Sequence, residues 1–478
     1  MAEAKSFVGR EKELELIKGA VERSQAKIIV VYGRRRIGKS LLIEHALQGK
    51  NPIIIDGIEN QPKQEQINGF SFQTGIQCGV KSHQPLKMDS WRGAFYHLYE
   101  QIKENPRPVV FDEFQWMANY RSEIVADLKL IWDRYFSKIE NMTLILCGSI
   151  ASFMINKVLK SRALYGRIDL EIELQPFTLT ETAKICAHRG VQEILDAHLL
   201  TSGVPKYLQL LNEKTSVRLG MKEHAFEPSG YFLSEYEKIF ISHFGRNPEY
   251  EKIIETLAHH PYGLRRTELI SHAGIDKGGG LTEHLMNLEV AGFISSQTPF
   301  HKKQTSKHKR YFIHDAYLRF YFSFIKPNLG DIKKRINIQR YNQIWSAPTM
   351  RNWLGRSFEH LCLQHAELIA ANLKFSGINY TCGPLYSPRQ DERGGYQIDL
   401  VFDRADNVLT ICEMKYTASQ VGVNVIEETE RKVEILRQQF PRKTVLPVLI
   451  TFKAPTADLQ KMAYFAHILR TEDFIQSR

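Results

Sequence analysis

The chain has 478 residues, a net charge of +11, 43% hydrophobic residues and 24% charged residues. That length allows about three packed cores, and the composition excludes a largely disordered or fibrous chain. Six cysteines at 78, 147, 186, 362, 382 and 412 form no CxxC pair, which argues against a disulfide framework or a zinc site and fits free thiols in a reducing cytoplasm. The start, MAEAKSFVGREKELEL, has no apolar h-region, and no apolar run approaches the ~20 residues of a membrane span. The sequence therefore reads as soluble and cytoplasmic, with no membrane partner.

The first ~175 residues alternate short β-rich runs with helical patterns, as buried parallel strands of an α/β layer do. The runs are 27–33, 51–57, 107–113, 142–149 and 169–174. Between the first strand and the helical LLIEHAL lies GRRRIGKS (33–40), which satisfies GxxxxGK[ST]. Successive amides of Gly33, Arg34, Arg35, Arg36, Ile37, Gly38, Lys39, Ser40 and Leu41, with the helix N-terminus, would form an anion cradle. Gly33 and Gly38 allow the tight turn, Lys39 would reach the outer phosphates, and Ser40 would ligate Mg²⁺ beside ATP. VVFDEF (109–114) ends a strand in two acids: Asp112 to hold Mg²⁺, Glu113 to polarise the attacking water. Ser149, closing LILCGS, would sense the γ-phosphate.

Residues 178 to about 250 read as helical throughout. Residues 251–300 give three short amphipathic helices, followed by GFISSQT and KRYFIHD as two strands, the pattern of a winged helix. Leu281, Leu285 and Leu288 would face inward, leaving Thr282, Glu283, His284 and Asn287 on the outer face with no Arg or Lys to read guanine. Charge excess is +4, +3 and +4 over 1–248, 249–326 and 327–478, so only HKKQTSKHKR (301–310) concentrates it. Lys302, Lys303, Lys307, Lys309 and Arg310 there favour backbone contact to nucleic acid, DNA foremost, over sequence reading. The alternative is a winged helix that only couples its neighbours.

From about residue 327 a new pattern begins, with a helix around 352–373, strands near 396–403, 408–415 and 445–451, and a charged helix at 425–440. Asp399 and Glu413 lie on two of these strands, which the turn at RADN would join as antiparallel neighbours. They could therefore bind Mg²⁺ together, with Lys415 on the face of Glu413 by strand alternation. Lys415 would orient water and neutralise charge on a scissile phosphate. Arg437 and Gln438 are further candidate phosphate contacts.

The segments FVGREKELELI, GRRRIGKS, VVFDEF, LYGRIDLEIELQPF and TSGVPKYL resemble, in this order, the AAA+ type of P-loop ATPases, and within it the archaeal-type STAND-like group. The resemblance implies an adenine contact near Val8 and Gly9, a charge-neutralising arginine at Arg167 (or Arg162), and a lid segment that brings Gly203 and Pro205 to the nucleotide. The D…ExK pattern resembles the PD-(D/E)XK restriction-endonuclease-like core, with Glu359 as the acidic residue of its opening helix and Ile398 where that motif has proline. The expected fold is thus a multidomain α/β chain: P-loop core 1–177, helical lid 178–250, winged helix 251–326, nuclease-like domain 327–478. The expected activity is Mg²⁺-dependent ATP hydrolysis coupled to a nuclease acting on nucleic acid, in a homo-oligomer or with a protein partner that triggers turnover. The other reading is a nucleotide-dependent switch whose C-terminus binds without cleaving; a sequence-specific transcription regulator is disfavoured by the bare recognition helix.

Overall fold

The computed structural model describes residues 7–79, 88–245, 247–275, 280–298, 308–335, 340–387 and 396–476. The chain divides into two compact units, 1–176 with 204–206, and 177–203 with 207–478.

In the first unit, β1 (Lys27–Tyr32), β2 (Ile53–Asp56), β3 (Val109–Asp112), β4 (Thr143–Gly148) and β5 (Ile168–Glu173) form one parallel sheet, ordered β2-β3-β4-β1-β5. All five predicted runs are strands. The three inner strands β1, β3 and β4 are buried throughout, whereas edge strand β5 alternates. Helices cover the sheet, so its central strands are apolar on both faces. Ile29, Val31, Ile145, Cys147 and Ile172 share a core with Ile17, Leu42 and Ile43 of the helices Glu11–Val21 and Lys39–Ala46.

The second unit holds helices from Leu179 to Phe244, then two sheets. The smaller is antiparallel, β6 (Leu264–Arg265), β8 (Arg310–Ile313) and β7 (Ile294–Gln297), ordered β6-β8-β7. It follows helices Pro248–Ala258, Arg266–Ala273 and Gly280–Val290, the last of which buries Leu281, Leu285 and Leu288 as the spacing required.

The larger sheet is mixed, ordered β13-β12-β11-β10-β9, from β9 (Tyr380–Ser387), β10 (Tyr396–Arg404), β11 (Val408–Lys415), β12 (Thr444–Thr451) and β13 (His467–Arg470). β9, β10 and β11 form an antiparallel meander, and β11, β12 and β13 run parallel, with helix Asn424–Gln439 crossing between β11 and β12. The sequence reading missed β9 and β13, both at sheet edges. Gly383 and Pro384 read as breakers, yet an edge strand tolerates proline. The predicted helix 352–373 is two helices, Pro348–Gln364 and Ala366–Asn372, broken where His365 leaves helical geometry (φ −106°, ψ 29°).

Candidate functional sites

At the carboxyl end of β1 the chain turns through the loop in a way only glycine permits. A Cβ on Gly33, at φ +148°, would lie 2.3 Å from the Leu174 carbonyl oxygen and 2.6 Å from Ile37. Gly38, at φ 86°, begins the helix Lys39–Ala46, whose first turn has no side-chain cap, so its amides face the loop. Arg36 too is left-handed, at φ 73°. Lys39 is buried, and its ammonium donates to the Arg34 carbonyl at 3.0 Å, within the cradle. A concave run of amides with one ammonium suits an anionic polyphosphate.

The acids stand beside it. The Ser40 hydroxyl donates to Asp112 Oδ2 at 2.5 Å, although 72 residues separate them in sequence. Two hard oxygen ligands in contact suit Mg²⁺, which is commonly held by few protein groups plus phosphate and water. Glu113, left-handed at φ 48°, turns its carboxylate to Ser149, whose hydroxyl donates to it at 2.6 Å, and to the amide of Gln115 at 2.5 Å. The Gln115 amide also donates to Ser149 Oγ at 3.1 Å and accepts from the Ser149 backbone at 3.3 Å. The sequence reading missed Gln115, fully buried two residues past the acid pair, and also Asp56, paired in register with Asp112. Burial, then the charges of Asp112 and Glu113, push the Asp56 carboxyl above its usual range.

The remaining nucleotide contacts divide. Phe7 stacks on His45 at 4.4 Å, which ties the Val8–Gly9 segment to the helix behind the loop. Pro205 lies in the stretch 204–206 that belongs to the first unit, where the Lys206 amide donates to the Arg36 carbonyl at 3.3 Å. Gly203 has a packing reason of its own, because at φ 69° a Cβ there would meet the Phe177 carbonyl at 2.1 Å. Arg35 lies 5.2 Å over the Trp116 ring. Arg167 precedes Ile168, the register partner of Ile28, so it sits at the amino end of the sheet, roughly 13 Å of strand from the exit of β1. There it holds Asp133 at 2.6 and 2.9 Å and does not reach the loop of its own chain. Arg162 is exposed.

Helix Gly280–Val290 offers little to a base edge. Thr282 accepts from Arg266 at 2.9 Å, His284 lies 3.0 Å from Glu249, and Asn287 donates to the Tyr250 hydroxyl at 2.8 Å. Lys302, Lys303 and Lys307 lie outside the described residues. Arg310 donates to the carbonyls of Tyr262 (3.1 Å) and Gly263 (2.8 Å).

In the larger sheet, Asp399 of β10 and Glu413 and Lys415 of β11 come together with Glu359 from helix Pro348–Gln364. Burial, then the charge of Asp399, holds the Glu359 carboxyl above its usual range; burial, with the charge of Glu413 adding, does the same to Asp399. Gln397 donates to Asp399 Oδ1 at 2.8 Å. Glu413 is nearly buried and gives both oxygens to ammoniums: Lys415 at 2.8 Å and Lys432, which the sequence reading missed, at 2.7 Å. Among the described residues no group of three or more His, Cys, Asp and Glu is arranged to hold a metal ion. The carboxylate pair suits a hard cation by donor chemistry, provided an ammonium yields. Glu359 and Asp399 line a cavity of about 20 Å³, room for one water, which Pro261, Tyr262, Gln297 and Phe312 line as well. Arg437 pairs with Glu430. Tyr416, next to Lys415, donates to Asp196 of helix Val191–Thr201, and burial raises that carboxyl to about 6.

A glycine loop leaving an inner strand of a parallel sheet, with a hydroxyl and two acids at the ends of the next two strands, defines a P-loop ATPase core. Residues 7–211 match the family described as an ATPase domain predominantly from Archaea. The chain is 26% identical over 336 residues to the uncharacterized protein MJECL04 of Methanocaldococcus jannaschii, covering 69% of this chain and 71% of that one. It is 43% identical over 44 residues to the uncharacterized ATP-binding protein MJ0423 of the same organism, 9% of this chain and 75% of that one. Its fold resembles the Walker-type ATPase PABY2304 of Pyrococcus abyssi, with TM-score 0.51, 21% identity, and 66% and 96% of the two chains covered. No helix among the described residues is long and apolar enough to cross a membrane.

Proposed function

We propose that this protein is a Mg²⁺-dependent ATP hydrolase whose nucleotide state governs a C-terminal, nuclease-like domain acting on nucleic acid. Its working parts would be the core 1–177, lid 178–250, winged helix 251–326 and nuclease-like domain 327–478. One observation carries the hydrolase reading: Ser40 touches Asp112 at the loop while Glu113, one residue on, is aimed by Ser149 and Gln115. Loop amides and Lys39 bind the phosphates, and Ser40 and Asp112 would hold the cation. Mg²⁺ bound there would supply charge neutralisation on the phosphate oxygens. Glu113 orients water for attack, and Ser149 keeps its carboxylate in place. Charge neutralisation by Arg167 would have to come from a neighbouring copy, which favours a homo-oligomer.

The nuclease-like reading is supported by an antiparallel meander, a crossing helix and a parallel strand, with the acids and Lys415 on adjacent strands and Glu359 on the preceding helix. Asp399 and Glu413 would hold a cation, and Lys415 would face the scissile phosphate. A second reading, a binding module that does not cut, draws on the one-water cavity and on the two ammoniums already bound to Glu413. Partly committed helix polar groups make the smaller sheet's subdomain as suited to coupling as to DNA backbone contact.

The test is ATP turnover, together with cleavage of plasmid and single-stranded DNA in Mg²⁺ or Mn²⁺, for wild type, Lys39→Ala, Glu113→Gln and Lys415→Ala. Turnover should vanish in the first two variants, and cleavage should vanish in Lys415→Ala and change in Lys39→Ala. Absence of cleavage under every condition would leave the binding-module reading standing.

A further inference from the structure

We propose that Lys432 is a resident counter-ion of the C-terminal carboxylate site, and that it sets how tightly the site takes a divalent cation. The inference rests on the reading of Asp399 and Glu413 as cation ligands. Lys432 enters from helix Asn424–Gln439, a different element from the strand that carries Lys415, and no D…ExK spacing includes it. Its ammonium lies 2.7 Å from Glu413 Oε2, while Lys415 lies 2.8 Å from Oε1 of the same carboxylate. The side chains of Lys432 and Glu413 are only 12% and 5% exposed, so water screens their attraction weakly.

Glu428, one helical turn before Lys432, binds both lysines, at 3.4 Å and 2.9 Å. The four side chains form a closed ring of two carboxylates and two ammoniums. A divalent cation needs carboxylate oxygens at about 2.0–2.6 Å and cannot share one lone pair with an ammonium. Cation binding at Glu413 Oε2 is therefore opposed by Lys432, as binding at Oε1 is by Lys415. Because Glu428 retains it, the displaced charge stays in the site, where an anionic phosphodiester would meet it. Lys432 is thus a positioning residue that trades cation affinity for a site stable without a cation.

The experiment is calorimetric titration of Mn²⁺ into the full-length, nucleotide-free chain, with the Mn²⁺-induced shift in melting temperature as a second readout. Lys432→Met should bind Mn²⁺ about tenfold tighter than wild type or more, because a unit charge a few ångströms away has been removed. Lys432→Arg keeps the charge and should bind as weakly as wild type, and Glu413→Gln should bind least. Far-UV circular dichroism checks that each variant folds, and Lys432→Gln replaces the Met variant if that one does not. If Lys432→Met binds no tighter while Glu413→Gln still loses binding, the counter-ion role is overturned and the cation reading survives. If no variant binds, Lys432→Met included, both are overturned.

Discussion

Gln115 offers the sharpest test of how the ATPase core is organised. Its side chain is fully buried and makes three hydrogen bonds, one to Glu113 and two to Ser149. Replacement by methionine keeps most of the volume and removes every polar contact. The buried Ser149 amide then loses its acceptor, at a cost of about 1–3 kcal/mol. Glu113 loses one of two donors, but it is half-buried and water replaces part of that bond, so the stability change there is small while the carboxylate is freed to swing. A nucleophile-orienting group displaced by about 1 Å can lose up to 10²-fold in rate, so kcat should fall about 10- to 100-fold. KM for ATP should stay within about twofold, because binding rests on the loop amides and Lys39 rather than on Gln115. Steady-state ATP turnover and thermal melting of Gln115→Met supply both numbers. A melting temperature lowered as expected, alongside an unchanged kcat, would show that Gln115 is only core filling and that Ser149 alone aims Glu113.

Three further outcomes follow from the geometry. Gly33→Ala forces a Cβ into the Leu174 carbonyl and should abolish the stabilisation that ATP gives wild type, about 2.7 kcal/mol at a hundredfold excess over Kd; a full ATP-induced melting shift in the variant would contradict the cradle. Asp196 has a folded pKa of about 6, above its unfolded value near 3.9, so its stabilising contribution is present below that value and lost as pH rises through 6. Asp196→Asn should therefore flatten the fall in melting temperature between pH 4 and 7, and an unchanged slope would refute the assignment. Arg310→Ala releases the carbonyls of Tyr262 and Gly263, at a turn whose Tyr262 lines the Glu359–Asp399 cavity; it should cost about 1–2 kcal/mol and raise Mn²⁺ affinity there several-fold by calorimetry, and an unchanged affinity would show that this turn does not limit access.

Much of the fold was legible because its signals are local. The apolar runs of β1, β3 and β4 are buried on both faces, and that pattern is written in consecutive residues. The loop glycines, the helix after them and the acids ending β3 are likewise short motifs whose geometry follows from backbone sterics. Leu281, Leu285 and Leu288 declare the buried face of their helix by spacing alone. Strand β9 was not legible because Gly383 and Pro384 interrupt its pattern, which an edge strand tolerates, and β13 is a four-residue run with a single buried position.

The residues that complete each site depend on distances the sequence does not carry. Gln115 meets Ser149 across 34 positions, and Lys432 meets Glu413 across 19, through a helix whose rotation on the sheet selects which face arrives. Arg167, which the family resemblance assigned to charge neutralisation, lies by the register of β5 on β1 at the far end of the sheet from the loop of its own chain. The sequence by itself determined the phosphate loop, the strands that support it and the carboxylate–lysine pairs on their strands, because alternation and backbone sterics act within a few residues. Which ammoniums neutralise Glu413, what aims Glu113 and what lines the cavity beside Asp399 came from the folded chain, because those are contacts between elements brought together only when the apolar faces are buried.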